Sequence, residues 1–298
     1  MKLAFIAVAF SAAAFGQHIV VTAEGHHGAP PPEVNRDQIS VDVDRHPAKV
    51  ESWTPLRGDQ ANLDFYILID DGVDSEIGLE FNSLKSFINS QPATTRIGLA
   101  YLRNGSANIV APLTAEHDKV AKALRLPSGP AGIASSPYMC ISDLVKKWPT
   151  VDGRREVLLI SGGVDPWSPA DPQNPYLQQS IAAAQRAGIL VHSVYYAEAG
   201  HSGHSFWQIN WGQNYLSELG DETGGEAYWQ GSMNPVTFDP FLKDLTQRLQ
   251  NQYLLTLEPR EGKGGLEPFR ITSSESGVSV QAASKINFQS GSASASRF

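Results

Sequence analysis

The stretch Leu63-Asp64-Phe65-Tyr66-Ile67-Leu68-Ile69-Asp70-Asp71-Gly72-Val73-Asp74-Ser75 constrains the fold more than any other part of the chain. Residues 65–69 are continuously apolar, as a strand must be when both faces of its sheet are covered, and the central strand of a parallel sheet is the usual case. Ile77, Phe81, Leu84 and Ile88 follow at helical spacing, which predicts an amphipathic helix capped by Asp74 or Ser75. A strand that runs through acids into a helix places those acids at the carboxyl edge of an α/β sheet, where ligands bind.

Strand-like and helix-like segments then take turns, the pattern of a parallel sheet flanked by helices. Residues 96–101 read as a strand, and Asn104-Gly105 predicts a tight hairpin into residues 107–113, hence one antiparallel edge pair. Helices are expected over 114–125 and 138–148, and a buried strand over 156–161 ending in Gly162-Gly163. Asn174-Pro175 is a cap and first turn, and Gly188 is the stop of that helix. A strand at 189–196, a helix within 204–224, a short strand at 226–229 and a regular amphipathic helix through Phe238, Phe241, Leu242, Leu245 and Leu249 complete the series.

The flanks differ from this core. Ile19-Val20-Val21 and the alternation of Ile39, Val41 and Val43 are β-type, with a run at 50–53 that suggests a small hairpin. Beyond Tyr253, period-two alternation resumes at Leu255 and Leu257, at Phe269 and Ile271, and at Val278 and Val280. The expected organisation is a signal peptide (1–16), an N-terminal β/linker segment (17–60), the α/β domain (61–251), a C-terminal β extension (252–290) and a frayed tail (291–298).

The first 16 residues combine Lys2, an apolar core and small residues at the −3 and −1 positions before Gln17, as a secretory signal does. No later stretch is long enough to span a bilayer, so an exported protein, periplasmic or secreted and not membrane-spanning after signal cleavage, is expected. Cys140 is the only cysteine among 298 residues, so no internal disulfide is possible and stability must come from the core. A net charge of −8 without any Lys/Arg block argues against nucleic acid as a partner.

Taken together, the strand ending in Asp70, the hairpin at Asn104-Gly105, the strand ending Ile160-Ser161-Gly162-Gly163 and the element order over residues 63–250 resemble the von Willebrand factor type A domain, in a variant of exported acidobacterial proteins. The resemblance implies a Rossmann-like, mostly parallel central sheet flanked by helices, with short β extensions at both ends. It also implies a metal-ion-dependent adhesion site in which an Asp-x-Ser-x-Ser turn, a Thr from a second loop and an Asp from a later turn hold Mg²⁺ for a partner's carboxylate. In this chain Asp70 matches the first Asp, but the serine positions are Gly72 and Asp74, and the later Asp is Gly162. Ser136 or Ser135 stands nearest the Thr, and Asp165 lies three residues past Gly162.

Two arrangements follow. In one, Asp70 and Asp74, with Ser136 and Asp165, hold a divalent cation such as Mg²⁺ in altered geometry. In the other, Asp70 accepts backbone N–H groups in the turn and Asp74 caps the next helix. Asp71 should point away from both, since neighbouring side chains on a strand alternate.

Other constellations carry less. His192, His201 and His204 have a ligand-like spacing, but no Glu accompanies them and Gly203 reads as loop. Trp207, Trp211 and Tyr215 recur every four residues, as the core-facing side of a helix does, which leaves Trp229 as the exposed aromatic. No nucleophile elbow, zincin, dinucleotide or phosphate-loop motif is present. The expected function is therefore an adhesion- or scaffold-like module that binds a protein partner and is not an enzyme. The alternatives are a metal-assisted hydrolase using Asp70 and Asp74, or a purely structural cell-envelope component.

Overall fold

The structure, a computed structural model, describes residues 17–26, 29–128, 136–149, 153–168, 173–199, 205–258 and 264–288. The segment expected as a signal peptide (1–16), His27, Ser135, His201, His204 and the tail expected at 291–298 lie outside them. In chain order the strands are β1 (Gln17–Gly25), β2 (Ile39–Val43), β3 (His46–Pro47), β4 (Val50–Pro55), β5 (Leu63–Asp70), β6 (Thr95–Arg103), β7 (Ser106–Thr114), β8 (Arg154–Ser161), β9 (Ile189–Tyr195), β10 (Ala227–Tyr228), β11 (Gln252–Leu257), β12 (Gly265–Ser273), β13 (Val278–Gln281) and β14 (Lys285–Phe288). The helices are α1 (Phe81–Ser90), α2 (His117–Lys122), α3 (Pro137–Lys147), α4 (Pro175–Ala187), α5 (Phe206–Thr223) and α6 (Asp239–Gln250).

All eight residues of β5 are buried. Leu63, Phe65, Ile67 and Ile69 face one hydrophobic layer with side chains of α1, α2 and α6. Tyr66 and Leu68 face the other, with α3, α4 and α5. Residues 65–69 of the strand are continuously apolar because helices cover both faces of its sheet. The six-stranded sheet has the order β10-β9-β8-β5-β6-β7, parallel except for the edge strand β7. Chain order reverses between β5 and β8, so the crevice beyond their carboxyl ends is the topological switch point.

Local signals hold where they were strongest. Asn104 and Gly105 both have positive φ (53° and 71°) in the β6-β7 hairpin. The Asn174 side chain accepts from the N–H groups of Tyr176 and Leu177, and Gly188 ends α4 in the left-handed conformation. Two expectations change. The helix expected over 114–125 shortens to α2, because the backbone N–H and C=O of Arg125 are both engaged by the Tyr101 hydroxyl. The helix after the acidic turn starts as a 3₁₀ segment, Ser75–Glu80, before α1.

The β segments expected at both ends are present, and they pair with one another across the α/β domain. β1 pairs with β11 and β13, β11 pairs with β4, and β2 pairs with β3 and β12, giving sheets β13-β1-β11-β4 and β14-β12-β2-β3. The hairpin expected between 39–43 and 50–53 does not form, since β2 and β4 belong to different sheets. Both sheets contribute to one hydrophobic core through Val21, Val43, Leu255, Phe269 and Phe288. The α/β domain is thus inserted between β4 and β11 of a β-sandwich. Arg154 seals the crossing by donating to Ala61 O (2.8 Å), Leu249 O (2.8 Å) and Gln252 Oε1 (2.6 Å).

Candidate functional site at the carboxyl edge

Asp70 ends β5 and is 3% exposed. Its Oδ1 accepts from Gly72 N–H (2.9 Å) and its Oδ2 from the Ser161 hydroxyl at the end of β8 (2.9 Å). The segment after β9 straps the turn down: Asp74 N–H donates to Ala197 O (3.0 Å), Ala199 N–H to Gly72 O (2.9 Å), and Val73 bridges Glu198. Glu198 thereby reaches the place that Gly162 leaves open, where an added Cβ would lie 3.3 Å from Glu198 Cγ and 3.4 Å from Tyr196 O. Burial, then the neighbouring Asp70 charge, pushes the Glu198 carboxyl up to about 7; burial, only partly offset by Gly72 and Ser161, pushes Asp70 up to about 6. Two acids share one water-poor space.

Asp71 is the opposite case. Arg125 grips it with two N–H···O bonds (2.7 and 3.1 Å), and Ser128 N–H adds a third (3.1 Å). Burial raises its carboxyl, but those bonds and the charges of Arg125 and Arg103 outweigh that and hold it below the usual range. Arg125 also lies 3.7 Å over the Tyr101 ring. Asp71 does point away from Asp70's partners, as strand alternation requires.

Asp74 turns Oδ1 to Glu76 N–H (2.9 Å) and caps the 3₁₀ segment. Ser136 caps α3 and donates to Asp165 (2.9 Å), which also accepts from Asn174 Nδ2 (3.1 Å) and Trp167 N–H (2.9 Å). Each residue considered as a cation ligand is therefore turned to a partner within the protein. Mg²⁺ binds through about six oxygens, several of them from water. Among the described residues no group of three or more His, Cys, Asp or Glu side chains is placed to hold a metal ion. The donor set does not fit the ion that the family resemblance implies. His192 is buried as well, bonded to Glu156 Oε2 (2.8 Å) and accepting from Glu226 N–H (3.1 Å).

Packing explains the glycines at this edge. An added Cβ on Gly212 of α5 would lie 2.1 Å from Gly162 O, and one on Gly163, where φ is +69°, 2.4 Å from Gly212 O. The helix backbone rests on the turn that ends β8, so neither position tolerates a side chain. Glu198, Ser161 and Arg125 were not singled out as site residues. A lone acid in a loop and a serine at a strand end carry no spacing signal.

The loops around this edge are unusually apolar on the outside. Among the described residues, nine large hydrophobic side chains are exposed, and all but Val110 lie here: Leu79 and Leu126, Trp167 after β8, Phe206 and Trp207 at the start of α5, and Trp229, Met233 and Val236 after β10. Trp207 departs from the expected core-facing stripe because it sits in the first turn of α5; Trp211 and Tyr215, one and two turns on, do pack inward.

The α/β domain is a mostly parallel six-stranded sheet between helical layers, with the acidic turn of its central strand at the switch point, which is the arrangement that the von Willebrand type A resemblance implies. No family model and no curated protein matches the chain. Among solved structures, the chain is similar to the conserved hypothetical protein BatB from Bacteroides thetaiotaomicron (11% identity, 63% of this chain and 97% of that one, TM-score 0.46). It is also similar to the SpRpn10 VWA domain (13% identity, 62% and 94%, TM-score 0.37). A third is proximal thread matrix protein 1 from the mussel byssus, described with a zinc-occupied MIDAS motif (11% identity, 67% and 48%, TM-score 0.43).

Proposed function

We propose that the chain is an exported, non-catalytic protein-binding module that docks its partner on the carboxyl edge of the von Willebrand type A-like domain without a resident metal ion. The observation that carries this reading is the concentration of exposed hydrophobics on the loops of one edge. Water-exposed apolar surface gathered in one place marks an interaction site, whereas scattered single residues do not. Export rests on the signal-like first 16 residues; no described helix is long and apolar enough to cross a membrane. Binding is favoured over hydrolysis because both oxygens of Asp70 are held by protein donors and Asp74 serves as a cap.

Capture from an envelope extract tests the reading, with the wild-type chain beside a variant carrying Trp167→Ser, Trp207→Ser and Trp229→Ser. A partner retained by the first and lost by the second, with both folded by circular dichroism, is the expected result. Retention by both sinks the proposed surface. A thermal-unfolding scan with EDTA and with millimolar Mg²⁺, Mn²⁺ or Ca²⁺ tests metal independence, since a ligand that binds only the folded state raises the midpoint. The midpoint is expected to stay in place; a rise abolished by Asp70→Ala would restore the metal-dependent reading.

A further inference from the structure

We infer that the docked partner presents a basic, apolar segment, with Lys or Arg beside aliphatic or aromatic side chains, to the 3₁₀ segment after β5 and the loop between β10 and α6. The inference rests on the docking edge proposed above and assigns its partner's chemistry. These two pieces of chain are joined directly by Phe238 N–H, which donates to Glu80 Oε2 (2.7 Å). The loop is held to the segment after β9 by Ala197 N–H, which donates to Asn234 Oδ1 (2.7 Å), and by the Tyr196 ring, which meets Phe238 edge-on at 5.8 Å. They carry the three most exposed large hydrophobics of the described chain: Val236 (87%), Leu79 (78%) and Met233 (74%).

The charged groups among them have one sign. Asp74, Glu76 and Glu80 all act on Tyr196, and Asp239 acts on Glu80. None of Asp74, Glu76 and Asp239 forms an ion pair with a cation of the described chain. Arg125, the cation in contact with the Asp70-Asp71 turn, is spent on Asp71. A partner carboxylate would meet this belt with no metal ion to bridge the two negative charges. A Lys or Arg side chain meets complementary charge, which speeds encounter and excludes acidic competitors, while its neighbours cover Leu79, Met233 and Val236.

The test pans a phage-displayed library of random 12-residue peptides on the full chain, then titrates the enriched peptides, synthesised with a fluorophore, by anisotropy. Enriched peptides should combine Lys or Arg with Leu, Phe or Trp. Their affinity should fall about tenfold between 50 and 300 mM NaCl, as screened rim charges do. A similar fall is expected in Asp74→Asn/Glu76→Gln/Asp239→Asn, in which Asn keeps the cap. Leu79→Ser/Met233→Ser/Val236→Ser, all at exposed positions, should abolish binding without unfolding the chain. Acidic or uncharged winners, or affinity indifferent to salt and to the neutralised variant, would overturn the assigned chemistry. If the apolar variant still abolishes such binding, the docking edge survives that result. Winners indifferent to the apolar variant, or no winners, overturn the inference and count against the edge itself.

Discussion

Two polar clusters bracket the α/β domain, and they are built on opposite electrostatic plans. At the junction with the sandwich, Arg248 of α6 reaches Glu24 of β1 (2.8 Å), Asp244 (3.1 Å) and Glu226, with Gln281 of β13 accepting from it as well (2.9 Å). At the carboxyl edge, Asp70 and Glu198 share a buried space with neutral donors, and the arginine next door serves Asp71. The first cluster sets one buried arginine among three part-exposed acids and ties the sandwich to the α/β domain. The second leaves like charges adjacent, so its stability varies with pH and with whatever docks there. Structural and functional polar groups are distinguished here by the compensation each one receives.

Removing the compensating group should have the largest effect. Arg248→Ala leaves three part-exposed acids facing one another around a largely buried site, and because those acids still reach water the cost should sit at the low end for breaking a buried ion cluster, about 3 kcal/mol. Urea denaturation should show this as a lower midpoint, and the loss should be shared by the sandwich and the α/β domain. An Arg248→Ala chain as stable as wild type would show that the junction is not held by charge.

On the edge side, Gly212→Ala should cost about 2–3 kcal/mol, because its methyl must displace the Gly162 carbonyl on which α5 rests. The same variant should loosen the Ser161 to Gly163 turn, read as faster amide exchange there and at Gly72. A stable Gly212→Ala would mean that α5 can shift away from the β8 turn at little cost.

Both clusters respond to pH in the same direction, since burial also raises the Glu226 carboxyl at the junction despite Arg248, but the larger response belongs to the edge. Burial raises Asp70 to about 6 and Glu198 to about 7, so the folded chain keeps protons that the unfolded chain releases. This stabilisation is complete below the ordinary carboxylate range near pH 4 and disappears as pH climbs through about 6 and then about 7. The unfolding midpoint should fall by about 5 °C between pH 5.5 and 8, and Glu198→Gln should flatten most of that fall. A midpoint that rises over this range would remove the acid pair from the account.

What could be read in advance follows the same divide between local and distant causes. The β5 run, the Asn104-Gly105 turn and the Asn174-Pro175 cap announce themselves because each is decided within a few residues. The sandwich does not, since its strands pair across the whole inserted domain: Ile19 with Leu255, and Val43 with Phe269. Period-two alternation marks each of these as a strand but says nothing about its neighbour. The same holds at the site, where Asp70 and the Gly162 departure were legible and Glu198 was not. Its place there depends on the strap after β9 and on a helix resting against the β8 turn.

The smallest expected effect bears on the acidic turn itself. As the cap of the 3₁₀ segment, Asp74 needs only an oxygen for Glu76 N–H, and Asn supplies one in the same geometry. Asp74→Ala should therefore cost about 1 kcal/mol, whereas Asp74→Asn should stay within about 0.3 kcal/mol of wild type. A metal ligand would show the reverse order of concern, since Asn lacks the charge a hard cation requires and would lose any Mg²⁺-dependent rise in the midpoint. Measured together with and without Mg²⁺, the two variants decide which role the side chain has. Equal losses in Asp74→Ala and Asp74→Asn, restored to wild type only by the charged residue, would return this turn to the metal-binding plan from which its geometry departs.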